Sequence, residues 1–144
     1  MITLLQRVSE ARVVIAGQCF AGIDKGLLVL VGVQASDSEE IARKFVSRLL
    51  NYRVFSDSEG KMNLSLIDVQ GGLLLVPQFT LAATTTKGRR PSFTSAAPPA
   101  QGEFIFQAMV DAARSCYQKV KSGQFGADMQ VQLINDGPVT FILD

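Results

Sequence analysis

The hydrophobic and polar positions divide the chain into short strand-like runs and two amphipathic stretches. Ile2 to Val8 and Arg12 to Ala16 are rich in Ile, Leu and Val and predict two strands. A turn at Gly17-Gln18 returns the chain over Cys19 to Ile23 as a hairpin, and Asp24-Lys25-Gly26 makes a further turn. Leu27 to Val33 is an unbroken apolar run, the mark of a strand buried on both faces. Ser36-Asp-Ser-Glu39 has the hydroxyls and early acids of a helix start. Behind it Ile41, Phe45 and Leu49 recur at helical spacing beside Ala42, Val46 and Leu50. Tyr52 to Phe55 predicts a short strand, Ser56 to Gly60 a turn and Leu73 to Val76 a buried strand. Thr84 to Pro99 is a long polar loop, a kind that in a compact chain carries function or moves. A second helix is predicted from Gly102 to Lys121, with Ile105, Met109, Ala112, Cys116 and Val120 on one side. Met129 to Ile134 and Val139 to Leu143 close the chain as strands flanking an Asn135-Asp136-Gly137-Pro138 turn. Many strands with two helices predict an α+β fold, a sheet or open β-barrel covered by two main helices.

Composition narrows this. The chain has 144 residues, 47% of them hydrophobic and 19% charged, which suits one packed domain over residues 1–144 and argues against disorder. Fourteen basic residues face thirteen acidic ones, for a net charge of +1, so a nucleic-acid partner must be met by a local patch. There is no histidine, which excludes Ser-His-Asp and Cys-His nucleophiles and imidazole-ligated zinc. Cys19 and Cys116 are far apart, form no CxxC and have apolar neighbours, so two buried free thiols are expected. Charges at Arg7, Glu10 and Arg12 interrupt the first residues, no signal peptide is read there, and a cytoplasmic setting is expected. The longest apolar run is too short to span a bilayer, so no membrane partner is expected.

Three segments stand out chemically. Pro77-Gln78-Phe79-Thr80 follows the apolar strand, and a strand that ends in polar residues often delivers them to a cleft; taken alone, these four residues favour a plain strand-to-loop transition. Asn135 to Thr140 joins two strands through a Gly-Pro pair and reads either as an ordinary hairpin turn or as a rigid, specialised one. Lys87-Gly-Arg-Arg-Pro91 gathers three cations and reads either as a solvated loop or as a phosphate contact, because the arginine fork matches phosphate oxygens. No phosphate-cradling glycine motif is present, and no carboxylate spacing recommends a metal site.

Pro77-Gln-Phe-Thr80 and Asn135-Asp-Gly-Pro-Val-Thr140 resemble the Ser-Gln-Phe-Thr and Asn-X-Gly-Pro-Val-Thr motifs of the D-aminoacyl-tRNA deacylases of the bacterial and eukaryotic type. Around them, in order, lie Leu5-Gln-Arg-Val8, Gly26-Leu-Leu-Val29, Tyr52-Arg-Val-Phe55, Lys61-Met-Asn-Leu64, Lys87-Gly-Arg-Arg-Pro-Ser-Phe93 and Phe125-Gly-Ala-Asp-Met-Gln130. The resemblance spans essentially the whole chain. It implies a cytoplasmic homodimer that hydrolyses the ester joining a D-amino acid to the terminal adenosine of tRNA, and glycine mischarged on alanine tRNA. No cofactor, no metal and no DNA partner are expected. The resemblance further implies a cis bond at Gly137-Pro138, reaching into the active site of the other subunit.

On this reading the main chain of Gly137 and Pro138 gates chirality: one enantiomer collides with the turn, the other presents only hydrogen, and glycine passes. Gln78 and the N–H groups of Phe79 and Thr80 hold the ester and its oxyanion, while the ribose 2′-hydroxyl helps activate water. Thr80 as a covalent nucleophile is the competing mechanism, although no base adjoins it in sequence. The adenine end is expected near Phe79 and Met129, and Met129, Asn135 and Arg7 form the expected substrate-binding set. Arg7 either braces the Gly-Pro turn or is a strand-edge cation. Lys87, Arg89 and Arg90 are the expected tRNA contacts. Pro77 departs from the family's Ser and deletes a hydroxyl and an N–H together. A related animal family carries Pro-Gln-X-Thr here and accepts L-alanine mischarged on threonine tRNA, so relaxed chirality is one alternative. A non-catalytic dimeric RNA-binding module is another.

Overall fold

The computed structural model describes all 144 residues. Its elements are β1 (Ile2–Ile15), β2 (Gln18–Ile23), β3 (Gly26–Gly32), α1 (Glu39–Asn51), β4 (Phe55–Ser56), β5 (Met62–Leu64), α2 (Leu66–Val69), β6 (Gly72–Pro77), a 3-10 turn (Phe79–Ala82), α3 (Pro99–Cys116), β7 (Val120–Ser122) and β8 (Gln130–Leu143). One long strand organises the sheet. The first half of β1 pairs antiparallel with β3, its second half with β2, and β8 runs antiparallel along its other edge. β6 then adds parallel to β3, and β7 parallel to β6. β2 also packs against β6 and β7, so the mixed sheet nearly closes into a barrel.

Side-chain alternation along β3 and β6 feeds two cores. Leu27, Val29, Leu73 and Leu75 pack under α1 and α3, while Leu28, Leu74 and Val76 fill the barrel with Val8, Ala11 and Val13. Leu27, Leu28, Leu73, Leu74 and Leu75 are wholly buried, and each is worth about 1.5–3 kcal/mol in removal from water. The paired glycines Gly26 and Gly72 allow this closeness, since a Cβ on Gly26 would lie 1.9 Å from the Gly72 oxygen. Ser38 caps α1 by accepting from the Ile41 N–H at 3.3 Å. The buried stripe of α1 is Ala42, Val46, Leu49 and Leu50, turned one position from the expected Ile41–Phe45 line.

The fold differs from the expectation in several places. The predicted strands Ile2–Val8 and Arg12–Ala16 are one strand, because β8 carries the ladder past polar Ser9 and Glu10. Met129–Ile134 and Val139–Leu143 likewise belong to one β8, templated by β1, so Asn135–Pro138 is not a hairpin turn. The second helix ends at Cys116 rather than Lys121. β6 has a free edge whose backbone groups need partners, and Val120–Ser122 supplies them as β7. Both cysteines are exposed rather than buried: Cys19 lies on a hairpin end that projects past the core, and Cys116 on the outer side of the last turn of α3. The hydrophobic pattern does not announce α2, a single turn set by a capping box between Ser65 and Asp68. No helix is long and apolar enough to cross a membrane.

Candidate active site

β6 leaves the sheet at Pro77. The next N–H, on Gln78, donates to the Val31 oxygen at 2.7 Å. In a strand successive N–H groups face opposite edges, so position 77 faces away from β3, beyond the last β6–β7 pair at Leu75 and Ser122. A proline there costs the ladder nothing. The chain then bends through Gln78 into the 3-10 turn Phe79–Ala82, whose first N–H groups have no partner within the turn. Gln78 Nε2 donates to Thr80 Oγ1 at 2.5 Å.

Beside this bend is a pocket of about 450 Å³. Pro77, Gln78 and Phe79 form one wall, Met129 and Val131 another, and Phe106 and Phe125 contribute from α3 and the segment before β8. It is mainly apolar and carries one carboxylate, Asp128, and no cation. Phe79 is 55% exposed and Phe93 43%, and their ring centroids are 5.2 Å apart, an aromatic pair left open to solvent at the rim. The structure therefore brings together Gln78, Phe79 and Met129, with Thr80 adjacent.

Phe93 is a rim residue that sequence reasoning misses; the available signal is an aromatic side chain in an otherwise polar loop. The loop over 83–98 is pinned beside the pocket. Thr84 and Ser92 exchange backbone hydrogen bonds of 2.8 and 3.0 Å, Ala97 N–H donates to the Val33 oxygen, and Ser95 Oγ donates to the Ala82 oxygen. Lys87, Arg89 and Arg90 project from the exposed tip of this loop.

The Gly-Pro segment stands apart from that pocket in the same chain. β1 pairs Gln6 with Thr140 and Val8 with Asn135, so Asp136 to Val139 are pushed out of the ladder opposite the single residue Arg7. The Gly137-Pro138 bond is cis, and both residues are exposed. Arg7 braces the protrusion: its Nε donates to the Asp136 oxygen and its Nη1 to the Val54 oxygen, both at 2.8 Å. Asn135 holds the other side, its Oδ1 accepting from Val139 N–H at 2.7 Å and its Nδ2 donating to Thr140 Oγ1 at 2.9 Å. Arg7 and Asn135, expected among the substrate contacts, thus turn their polar ends to the protrusion itself. Gly137 has φ +148°, and a Cβ there would lie 2.6 Å from Val139 Cγ2. Through the register, Arg7 is level with Leu27 and Leu73, and Gln78 lies five residues further along β6. That separates protrusion and pocket by about 16 Å along the strands, besides the strands between them.

The sequence profile of the family described as D-Tyr-tRNA(Tyr) deacylase matches residues 4–144. The chain belongs to this family. It is 64% identical over 144 residues to a D-aminoacyl-tRNA deacylase of Pseudomonas aeruginosa, covering 100% of this chain and 99% of that one. It is 61% identical to the D-aminoacyl-tRNA deacylase of Ectopseudomonas mendocina over the same spans. Among solved structures it is similar to one described as c-Myc DNA Unwinding Element Binding Protein, with a TM-score of 0.95, 38% identity and coverage of 100% and 98%. A probable eukaryotic D-amino acid tRNA deacylase shares the fold with a TM-score of 0.85 at 18% identity, covering 99% and 97%. The family match runs through the bend at Pro77, the cationic loop and the protrusion alike.

Proposed function

We propose that this chain hydrolyses the ester bond of D-aminoacyl-tRNA, releasing tRNA and the free D-amino acid, as a chirality check in translation. The observation that carries the reading is the pocket of about 450 Å³ at the end of β6, where Gln78, Phe79 and Met129 converge beside the opening turn of the 3-10 segment. Its size suits a terminal nucleoside with its amino acid, and its apolar wall and open Phe79–Phe93 pair suit a purine. A duplex would not enter it, which favours a tRNA end over DNA.

Water adds to the ester carbonyl, the oxyanion collapses, and the bond to the ribose oxygen breaks as that oxygen takes a proton. Gln78 and the Phe79 and Thr80 N–H groups hold the carbonyl oxygen. The substrate's own 2′-hydroxyl orients the water, and an aminoacyl ester is labile enough for positioning to suffice. Thr80 Oγ1, which accepts from Gln78, is a positioning group in this account.

The gate comes from a second copy of the chain. A protrusion this far from its own pocket reaches only a partner's, and the exposed Ile134, Phe141 and Ile142 on β8 support a homodimer. Carbonyls of Gly137 and Pro138 facing the substrate Cα admit hydrogen and exclude an L side chain. Glycyl-tRNAAla passes for the same reason.

Pro77 on the pocket wall favours one second reading, a deacylase of relaxed chirality that also accepts L-alanyl-tRNAThr. Assays with D-tyrosyl, L-tyrosyl, glycyl and L-alanyl-tRNAThr substrates separate these. Turnover of the D and glycyl substrates alone is expected. Added turnover of L-alanyl-tRNAThr selects the relaxed enzyme, and turnover of none selects a non-catalytic RNA-binding module.

A further inference from the structure

We propose that a cationic hollow at the opposite end of the sheet binds phosphates of the tRNA backbone, extending the footprint of the deacylase reading, on which it rests. The hollow is about 580 Å³ and lies where the β2–β3 turn, the end of α2 and the approach to β7 meet. Arg12, Lys25, Lys119 and Lys121 line it, against one carboxylate, Asp24. In a chain of net charge +1 this is a strong local excess of positive charge.

The cations are available to a ligand. Lys25, Lys119 and Lys121 enter no ion pair, and Arg12 meets only the half-exposed Glu10 at 3.3 Å. Two lysines are held in place by neutral partners. Lys119 Nζ donates to the Gln70 oxygen at 2.7 Å, and Lys25 Nζ stands 5.8 Å over the Phe55 ring. Part of the ordering cost is therefore met before any ligand arrives.

The chemistry favours a polymer backbone over a small free anion. A cradle for one phosphate needs converging backbone N–H groups, but the Gly72 N–H on this wall is spent on the Lys25 oxygen at 2.9 Å. Charge without such directed donors grips phosphodiesters non-specifically. Gly72 on its wall lies six residues before Gln78, which places the hollow about 20 Å along β6 from it. The pocket there takes only the end of the substrate, and a strand that leaves it along the sheet meets these lysines.

The test uses Lys119→Gln/Lys121→Gln and, separately, Arg12→Gln. On full-length D-tyrosyl-tRNA we expect KM to rise about fivefold with kcat unchanged. The slope of log(kcat/KM) against log[salt] should fall by about 0.7–0.9 for each phosphate that the variant no longer neutralises. Hydrolysis of the D-tyrosyl ester of adenosine stays at the wild-type level. An unchanged salt slope overturns the proposal, as does an equal loss on the adenosine ester. Saturable binding of inorganic phosphate that these substitutions abolish, with tRNA kinetics unmoved, assigns the hollow to free phosphate and overturns it too. If the wild-type protein hydrolyses neither substrate, the deacylase reading falls; the salt slope for binding uncharged tRNA then decides the hollow on its own.

Discussion

At the end of β6 the chain offers side chains, and within β8 it offers main chain. The pocket beside Gln78 is walled by Phe79, Met129, Phe106 and Phe125, which present apolar side-chain surface. The protrusion Asp136–Val139 presents its backbone instead, tied down by Arg7 on one side and Asn135 on the other. An apolar side-chain surface suits a ligand part that every substrate shares, in the proposed function the terminal nucleoside. A braced backbone suits a distinction of one substituent at one carbon, because it does not move aside. The two regions should therefore fail differently: losses at the pocket weaken all substrates together, and losses at the protrusion change which substrates pass.

The largest effect is expected for Gly137→Ala. Its φ of +148° and a Cβ 2.6 Å from Val139 Cγ2 force the backbone to shift, a strain of about 1–3 kcal/mol. Turnover of D-tyrosyl-tRNA should fall about tenfold or more, with a lowered melting temperature. Wild-type turnover and selectivity in this variant would break the comparison outright.

Arg7→Ala comes next. It removes both hydrogen bonds of the guanidinium and strands the oxygen of wholly buried Val54, costing about 1–3 kcal/mol of stability. The preference for D- over L-tyrosyl-tRNA should narrow severalfold, while affinity for the uncharged tRNA end is kept. An unchanged preference alongside weaker binding would move Arg7 from the protrusion's support to the substrate's.

Phe79→Ala sharpens the other side. Loss of one stacking surface costs about 1–3 kcal/mol, so KM should rise about tenfold for D-tyrosyl and glycyl substrates equally. A change in their ratio would show that the side-chain region also discriminates.

Legibility in the sequence follows the same division. The apolar runs Leu27–Val33 and Leu73–Val76 announce strands buried on both faces because every position is apolar, and no neighbour can overrule that. Pro77 to Thr80 is visible as polar residues after such a run. β7 is not: Val120 fits the helical stripe of α3, and only the open edge of β6 makes it a strand. The protrusion imitates a hairpin turn because Asn-Asp-Gly-Pro carries turn chemistry whether or not the chain reverses. Its true setting depends on β1 running unbroken, a tertiary fact. The braces on it come from Arg7, 129 residues earlier, and from Asn135 next to it, and only the second lies within reach of local reading.

Thr80→Ala is expected to have the smallest effect. Thr80 Oγ1 accepts a hydrogen bond from Gln78, and no histidine exists in the chain to take its proton. A hydroxyl without a base is a poor nucleophile, so the alanine variant should keep D-tyrosyl-tRNA hydrolysis within about twofold of wild type. The D to L ratio should not move, since the hydroxyl lies at the side-chain region and not on the braced backbone. Complete loss of turnover in a folded variant that still binds tRNA would place the chemistry on this side chain. The pocket would then do more than position a labile ester.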